Sequence, residues 1–188
     1  MTDRPIIALD LPPADPPDDI RAYFAKCQEK LGLIPNVLRA YSFDMEKLRA
    51  FMAMYNDLML APSGLSKTER EMIAVAVSAE NRCVYCLTAH GAALRALTGD
   101  PALAEVIAQN WRAADLPSRQ RAMLAFAVKL TSRPQDMAEA DRQALRDAGF
   151  AERDIWDIAA VAAFYNMSNR LAAATEMQPN PDYHGMAR

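Results

Sequence analysis

Glycine is scarce in this chain, with six among 188 residues, and no stretch alternates Val, Ile or Thr with polar residues between turns. Without that alternation there is no signal for β-strands. No apolar run approaches the ~20 residues needed to cross a bilayer. The opening Met1-Thr2-Asp3-Arg4-Pro5 has neither the basic segment nor the apolar stretch of a signal peptide. Cysteine is also sparse. Three thiols, an odd number, do not make a secreted disulfide framework, and they point to a reducing cytoplasm. Neither sign of charge predominates: 21 basic and 24 acidic side chains leave a net charge of −3, with a pI near 5.4. That balance argues against nucleic acid or an anionic membrane as a partner.

What is present is helix-forming. A hydrophobic fraction of 52% with 24% charged residues describes a folded chain, and the length suits one domain. The fold class is all-α. Residues 1–19 carry Pro5, Pro12, Pro13, Pro16 and Pro17 and predict an extended arm. Residues 20–176 predict a single helical domain, and 177–188 a polar tail. Apolar periodicity places helices near 18–31, 44–60, 67–80, 83–97, 101–112, 117–132, 138–148 and 152–175. Gly32, Pro35, Pro62-Ser63-Gly64, Gly99-Asp100-Pro101, Pro117, Pro134 and Gly149 punctuate them. A shift of 83 positions lays Glu69-Arg70-Glu71-Met72-Ile73 over Glu152-Arg153-Asp154-Ile155-Trp156. The echo allows two related helical hairpins, or two unrelated amphipathic helices.

One cluster carries chemistry. Cys83-Val84-Tyr85-Cys86 is a C-x-x-C motif followed by His90. Two thiols at this spacing can close a disulfide across one helical turn, and such thiols commonly have lowered pKa values. Asn81 is the expected N-cap of their helix, and Arg82 and the first-turn dipole favour a thiolate. His90 lies four residues after Cys86, so their Cβ atoms are about 5–6 Å apart on one face. If the chain reverses near residues 80–81, Glu71 and His90 are equidistant from the turn and meet across the hairpin seam. Glu69 has a local duty instead, since Ser66-Lys67-Thr68-Glu69 fits a capping box. Glu71 has none, which leaves it free as a general base.

The same residues fit duller roles. C-x-x-C with His90 suits zinc if Cys27 or His184 supplies a fourth ligand. Two buried structural cysteines fit an amphipathic helix equally well. The full spacing Glu71-x11-Cys83-x2-Cys86-x3-His90 is more specific than its parts. It resembles the active-site signature of the alkyl hydroperoxidase D-like proteins of the carboxymuconolactone decarboxylase-like superfamily. Leu33-Ile34-Pro35-Asn36-Val37, the run Arg70 to Ala92, and Ile155-Trp156-Asp157-Ile158 through Asn166-Met167-Ser168-Asn169-Arg170 resemble its peroxidase-related branch.

The resemblance implies an all-helical, homo-oligomeric protein (dimer, trimer or hexamer). It implies a cysteine-based peroxidase, with a hydroperoxide as substrate, an external dithiol (protein or lipoyl) as reductant, and neither cofactor nor metal. Some relatives carry His immediately before the second cysteine. Here that position is Tyr85, which removes one relay group. In the resulting scheme Glu71 polarises His90, His90 helps deprotonate Cys86, and Cys86 attacks the peroxide. The sulfenic acid then condenses with Cys83. Two arguments compete over the order of the thiols. The helix dipole favours Cys83 and proximity to His90 favours Cys86; the base, reinforced by the resemblance, selects Cys86 as attacker and Cys83 as resolver. The rival functions are a general dithiol–disulfide oxidoreductase and a non-catalytic helical oligomeric binding module. The helix from Phe51 to Leu60, apolar over more than one face, is the expected oligomer surface, unless it is central in the monomer core.

Overall fold

The computed structural model describes residues 4–188. Nine α-helices occur among them: α1 (Asp18–Leu31), α2 (Asn36–Ala40), α3 (Met45–Tyr55), α4 (Lys67–Glu80), α5 (Val84–Thr98), α6 (Pro101–Asn110), α7 (Ser118–Ser132), α8 (Glu139–Asp147) and α9 (Glu152–Ala174). No strand occurs among the described residues, so the all-α expectation holds. The boundaries follow local chemistry. Pro17 precedes α1, and Gly32 ends it in the left-handed region at φ 73°. Asp44 caps α3 by accepting from the Glu46 and Lys47 N–H groups, and Asp100 caps α6 from the Leu103 N–H. The Ser66/Glu69 capping box opens α4 as expected. The five-residue α2 escapes periodicity because it is shorter than two turns.

Helix α4 is the axle of the molecule. Every residue from Glu69 to Ser78 is buried, and the helix packs against α5, α6, α7 and α9. A helix enclosed on all sides needs apolar residues all round it, supplied here by Met72-Ile73-Ala74-Val75-Ala76-Val77. Arg70 is buried at its base and donates to the Leu58 and Ala61 carbonyls at 3.2 and 2.9 Å. Those bonds anchor the π-helical turn Asn56–Leu60 that follows α3.

That turn explains the breadth of the apolar 51–60 segment. Phe51, Met52 and Met59 are buried, with Phe51 stacked on Tyr41 and tilted against Phe164. The segment is core on one side only, because Met54 and Leu60 stand exposed on the other.

Two other expectations are corrected. Residues 152–174 form one continuous helix, so the internal echo does not mark a second hairpin. The helix break at Asn81–Arg82 falls, after the shift of 83, on Phe164 and Tyr165, which lie mid-helix among α9's buried residues. The final residues are not a free polar tail. Asn180 accepts from the Asn36 N–H at 2.7 Å and donates to the Ile34 carbonyl at 3.0 Å. Arg95, itself buried, donates to the Tyr183 and Met186 carbonyls, and Tyr183 packs with Leu33 and Ala92. The arm is docked as well, through Ala8 N–H to Thr175 O and Gln178 N–H to Ile6 O at 2.8 and 2.9 Å.

If the C-terminal segment is structural, Tyr183→Ala lowers unfolding free energy by about 3 kcal/mol, as removal of a buried aromatic does. Urea denaturation measures this; a change under ~0.5 kcal/mol, the surface-substitution range, would show a segment that is not docked.

Candidate active site

The site is built on the reversal between α4 and α5. Asn81 ends α4 as its C-cap, Arg82 takes the left-handed region at φ 53°, and Cys83 is the N-cap of α5. This corrects the expected cap: Asn81 closes the preceding helix and does not open the next. A non-glycine residue at positive φ is uncommon and tightens the turn. The Cys83 N–H returns to the Ser78 carbonyl at 2.9 Å.

Cys83 stands at the N-cap of α5, although its side chain accepts no capping hydrogen bond from the first turn. The groups that act on its sulfur are the Cys86 thiol first, then the backbone N–H groups of Cys86 and Tyr85 and the Asn169 amide. Donation from Cys86 is the largest influence, and against the cost of burial these groups lower the Cys83 pKa to about 6. Cys86 is pushed the other way, well above the usual thiol range, because it keeps its proton to donate to Cys83 and is buried. Cys83 is thus the thiol that ionises more readily and Cys86 the one that keeps its proton. That direction favours the thiol nearer the helix start over the one nearer His90.

The predicted hairpin contact is present. Glu71 of α4 and His90 of α5 meet with Oε2 2.7 Å from Nδ1. Both are largely enclosed. With the Glu71 carboxylate ionised, Nδ1 carries the proton and donates it, leaving the Nε2 lone pair as the basic site. The Tyr165 hydroxyl lies 3.3 Å from the same Nδ1, its ring edge-on to the imidazole at 4.7 Å between centroids. The four predicted residues thus gather as two pairs, Glu71–His90 and Cys83–Cys86. No hydrogen bond among the described residues joins the imidazole to either sulfur. Cys27 on α1 and His184 near the C-terminus do not complete a metal set. Among the described residues no group of three or more His, Cys, Asp or Glu is placed to hold an ion. Tyr85, where some relatives carry His, receives the Val37 N–H at 2.8 Å and so fastens α2 to the site.

Spacing arguments missed the α9 contribution. Tyr165 touches His90, and Ser168 and Asn169 contact the cysteine sulfurs, so one strip of α9 covers both pairs. Asn169, 1% exposed, accepts from the Asn81 amide at 3.0 Å and donates to Ser78 Oγ at 3.0 Å. These partners fix the orientation of the amide. A signal for this existed: two asparagines, Asn166 and Asn169, unfavourable in helix interiors, stand three residues apart near the end of an Ala-rich helix.

Thiolate absorbance in the reduced protein should titrate with a midpoint near pH 6. The transition should vanish in Cys83→Ser and move upward in Asn169→Leu, which removes one donor. Because the folded pKa is depressed from about 9, the thiolate's stabilisation is complete only above the unfolded value and disappears as pH falls through 6. A titration midpoint above ~8, close to the ordinary thiol value, would refute the assignment.

Residues 46–110 match the Carboxymuconolactone decarboxylase family. Among curated proteins none matches significantly. A peroxidase-related protein of Silicibacter sp. TM1040 is 60% identical, with both chains covered over 100% and a TM-score of 0.96. An alkylhydroperoxidase AhpD core protein of Ralstonia eutropha JMP134, also peroxidase-related, is 46% identical over 98% of both chains with a TM-score of 0.94. The debrominase Bmp8, solved as an alanine variant in complex with 2,3,4-tribromopyrrole, shares the fold at 18% identity, with a TM-score of 0.79 over 95% of both chains. Full-length identity to the first two, on the same helical frame, places this chain in the alkyl hydroperoxidase D-like, carboxymuconolactone decarboxylase-like superfamily.

Proposed function

We propose that this protein is a cysteine-based peroxidase that reduces hydroperoxides through its Cys83–Cys86 dithiol, without a cofactor, and is regenerated by an external dithiol. The observation that carries the reading is the C-x-x-C pair at the start of α5, with Cys83 at the N-cap, on the same helical hairpin as the 2.7 Å Glu71–His90 contact. The Cys83 thiolate attacks the terminal peroxide oxygen. The O–O bond breaks, Cys83 becomes a sulfenic acid, and the departing alkoxide takes the Cys86 proton to leave as alcohol. Cys86, now a thiolate, attacks the sulfenic sulfur; hydroxide leaves and is protonated to water as the disulfide forms. An incoming dithiol reverses the oxidation by exchange. Glu71 and His90 supply a basic Nε2 one turn from Cys86, which assists proton movement in the resolving step.

The acidity order moves the attack from Cys86 to Cys83. The same dithiol serves thiol–disulfide exchange, and the low Cys83 pKa favours that second reading equally. Three free cysteines suit a reducing cytoplasm, and no helix among the described residues is long and apolar enough to cross a membrane. A homo-oligomer belongs to this reading too. Its surface is the α9 face bearing Trp156, 71% exposed, with Ala160, Ala163, Met167 and Leu171 at heptad-like spacing for a second copy's helix.

One equivalent of alkyl hydroperoxide should remove two thiols and yield a Cys83–Cys86 disulfide by peptide mapping. Cys86→Ser should stop as a trappable sulfenic acid on Cys83, while Cys83→Ser stays unreactive at neutral pH. Sulfenic acid forming on Cys86 alone would return the attack to that residue. Glu71→Gln and His90→Gln should each slow disulfide formation by ~10²-fold, the usual scale of a general acid–base group. Light scattering should find a particle larger than the 20.8 kDa chain; a monomer would rule out the α9 pairing.

A further inference from the structure

A cleft of about 180 Å³ opens between α5, α6 and the C-terminal segment. Leu87 from α5 and Ala104 and Ala108 from α6 give it apolar walls. Its charged groups are Arg95, Glu105 and Arg188, with the exposed His184 beside them. These charges do not balance. Glu105 is engaged by Arg188, with 2.8 Å from Nη1 to Oε1. Arg95 is only 5% exposed, yet among the described residues no carboxylate lies within ion-pair distance of it. Its Nε and Nη2 donate to the Met186 and Tyr183 carbonyls at 3.0 and 2.8 Å. Nη1 has no hydrogen-bond partner among the described residues. It is not sealed in either, since the small surface that Arg95 keeps includes this nitrogen.

Holding two carbonyls is a structural duty, and it accounts for two of the three guanidinium nitrogens. It does not account for the charge. A neutral donor would serve a carbonyl at a lower desolvation cost, whereas an enclosed cation calls for a counter-charge. We propose that this cleft binds a compact organic carboxylate, which accepts from Arg95 Nη1 and rests its apolar body on Leu87, Ala104 and Ala108. With Glu105 and Arg188 cancelling each other, one unbalanced guanidinium suits one negative charge, and its bond to a carboxylate is charge-assisted. The His184 ring, which has no hydrogen-bond partner among the described residues, supplies a second donor. Thr88, also on the wall, already donates to the Val84 carbonyl at 2.8 Å and offers the ligand no proton. Volume sets the size. A cavity of ~150 Å³ holds a benzene ring, so the cleft takes a single ring or a short chain. The site is independent of the chemistry assigned to Cys83 and Cys86.

Isothermal titration calorimetry on the full chain at low ionic strength tests it, with benzoate, benzamide and inorganic phosphate as probes. Benzoate should bind saturably, one per chain. Benzamide, which keeps the ring and loses the charge, should bind at least tenfold more weakly, and so should phosphate, which keeps the charge and loses the ring. Ala108→Phe, which fills the cleft and leaves Arg95 in place, should abolish benzoate binding with helical circular dichroism unchanged. Glu105→Gln removes the competing carboxylate and should tighten binding roughly two- to fivefold, the scale of an exposed charge pair. Arg95→Gln should abolish binding too, but it also loosens the C-terminal segment, so Ala108→Phe is the deciding variant. No saturable benzoate binding to the parent, or undiminished binding in Ala108→Phe, would overturn the site. Benzamide or phosphate binding as tightly as benzoate would overturn the ligand class. None of these readouts depends on peroxide turnover.

Discussion

Where α4 stops, the chain reverses within three residues, and the active cluster depends on that reversal. Arg82 in the left-handed region lets Asn81 finish one helix and Cys83 begin the next with no intervening loop. The short turn keeps α4 and α5 in contact along their length, so Glu71 and His90 meet well away from it. It also sets Cys83 at the N-cap of α5, one turn before Cys86. A longer connection would release both pairs at once. The redox centre and the proton-handling centre are thus two consequences of one turn.

Burying these groups carries a cost that the surrounding network offsets. Asn81, Asn166, Asn169, Ser78 and Thr131 bond to one another across α4, α7 and α9, so these buried and half-buried polar side chains satisfy one another. Because Asn166 and Asn169 are each engaged on both oxygen and nitrogen, the network resists rotation. It holds Asn169 beside the thiols in one orientation. Preorganised donors of this kind favour a developing anion without rearrangement during the reaction.

Both chain ends act on the same region. The arm and the C-terminal segment close over α2, α5 and the end of α9, and they meet each other through Ile6 and Gln178. Enclosure lowers the local dielectric, which strengthens the Glu71–His90 contact and the hydrogen bond between the sulfurs alike. It also makes access a property of segments that local patterning treats as peripheral.

Much of this was legible in the residues themselves. The helices followed from 3.6-residue periodicity and from their punctuation, because Pro, Gly and the Ser66 box act within a few residues of where they stand. The Glu71–His90 contact followed from symmetry about the turn, since a hairpin of regular helices has a predictable register. Other features depend on groups distant in sequence. Cys83 is the more acidic thiol first because the Cys86 thiol lies beside it, and then because the start of α5 and Asn169, 86 positions later, act on it. Likewise α9 supplies Tyr165 and Ser168 only because α4 seats it there, and the terminal segments dock because Asn36, Arg95 and Asn180 find backbone partners across the fold. Local propensity determined the helices and the motif. The burial and hydrogen bonding that decide which sulfur holds the charge, and what covers it, exist only once α9 and both chain ends are packed in place.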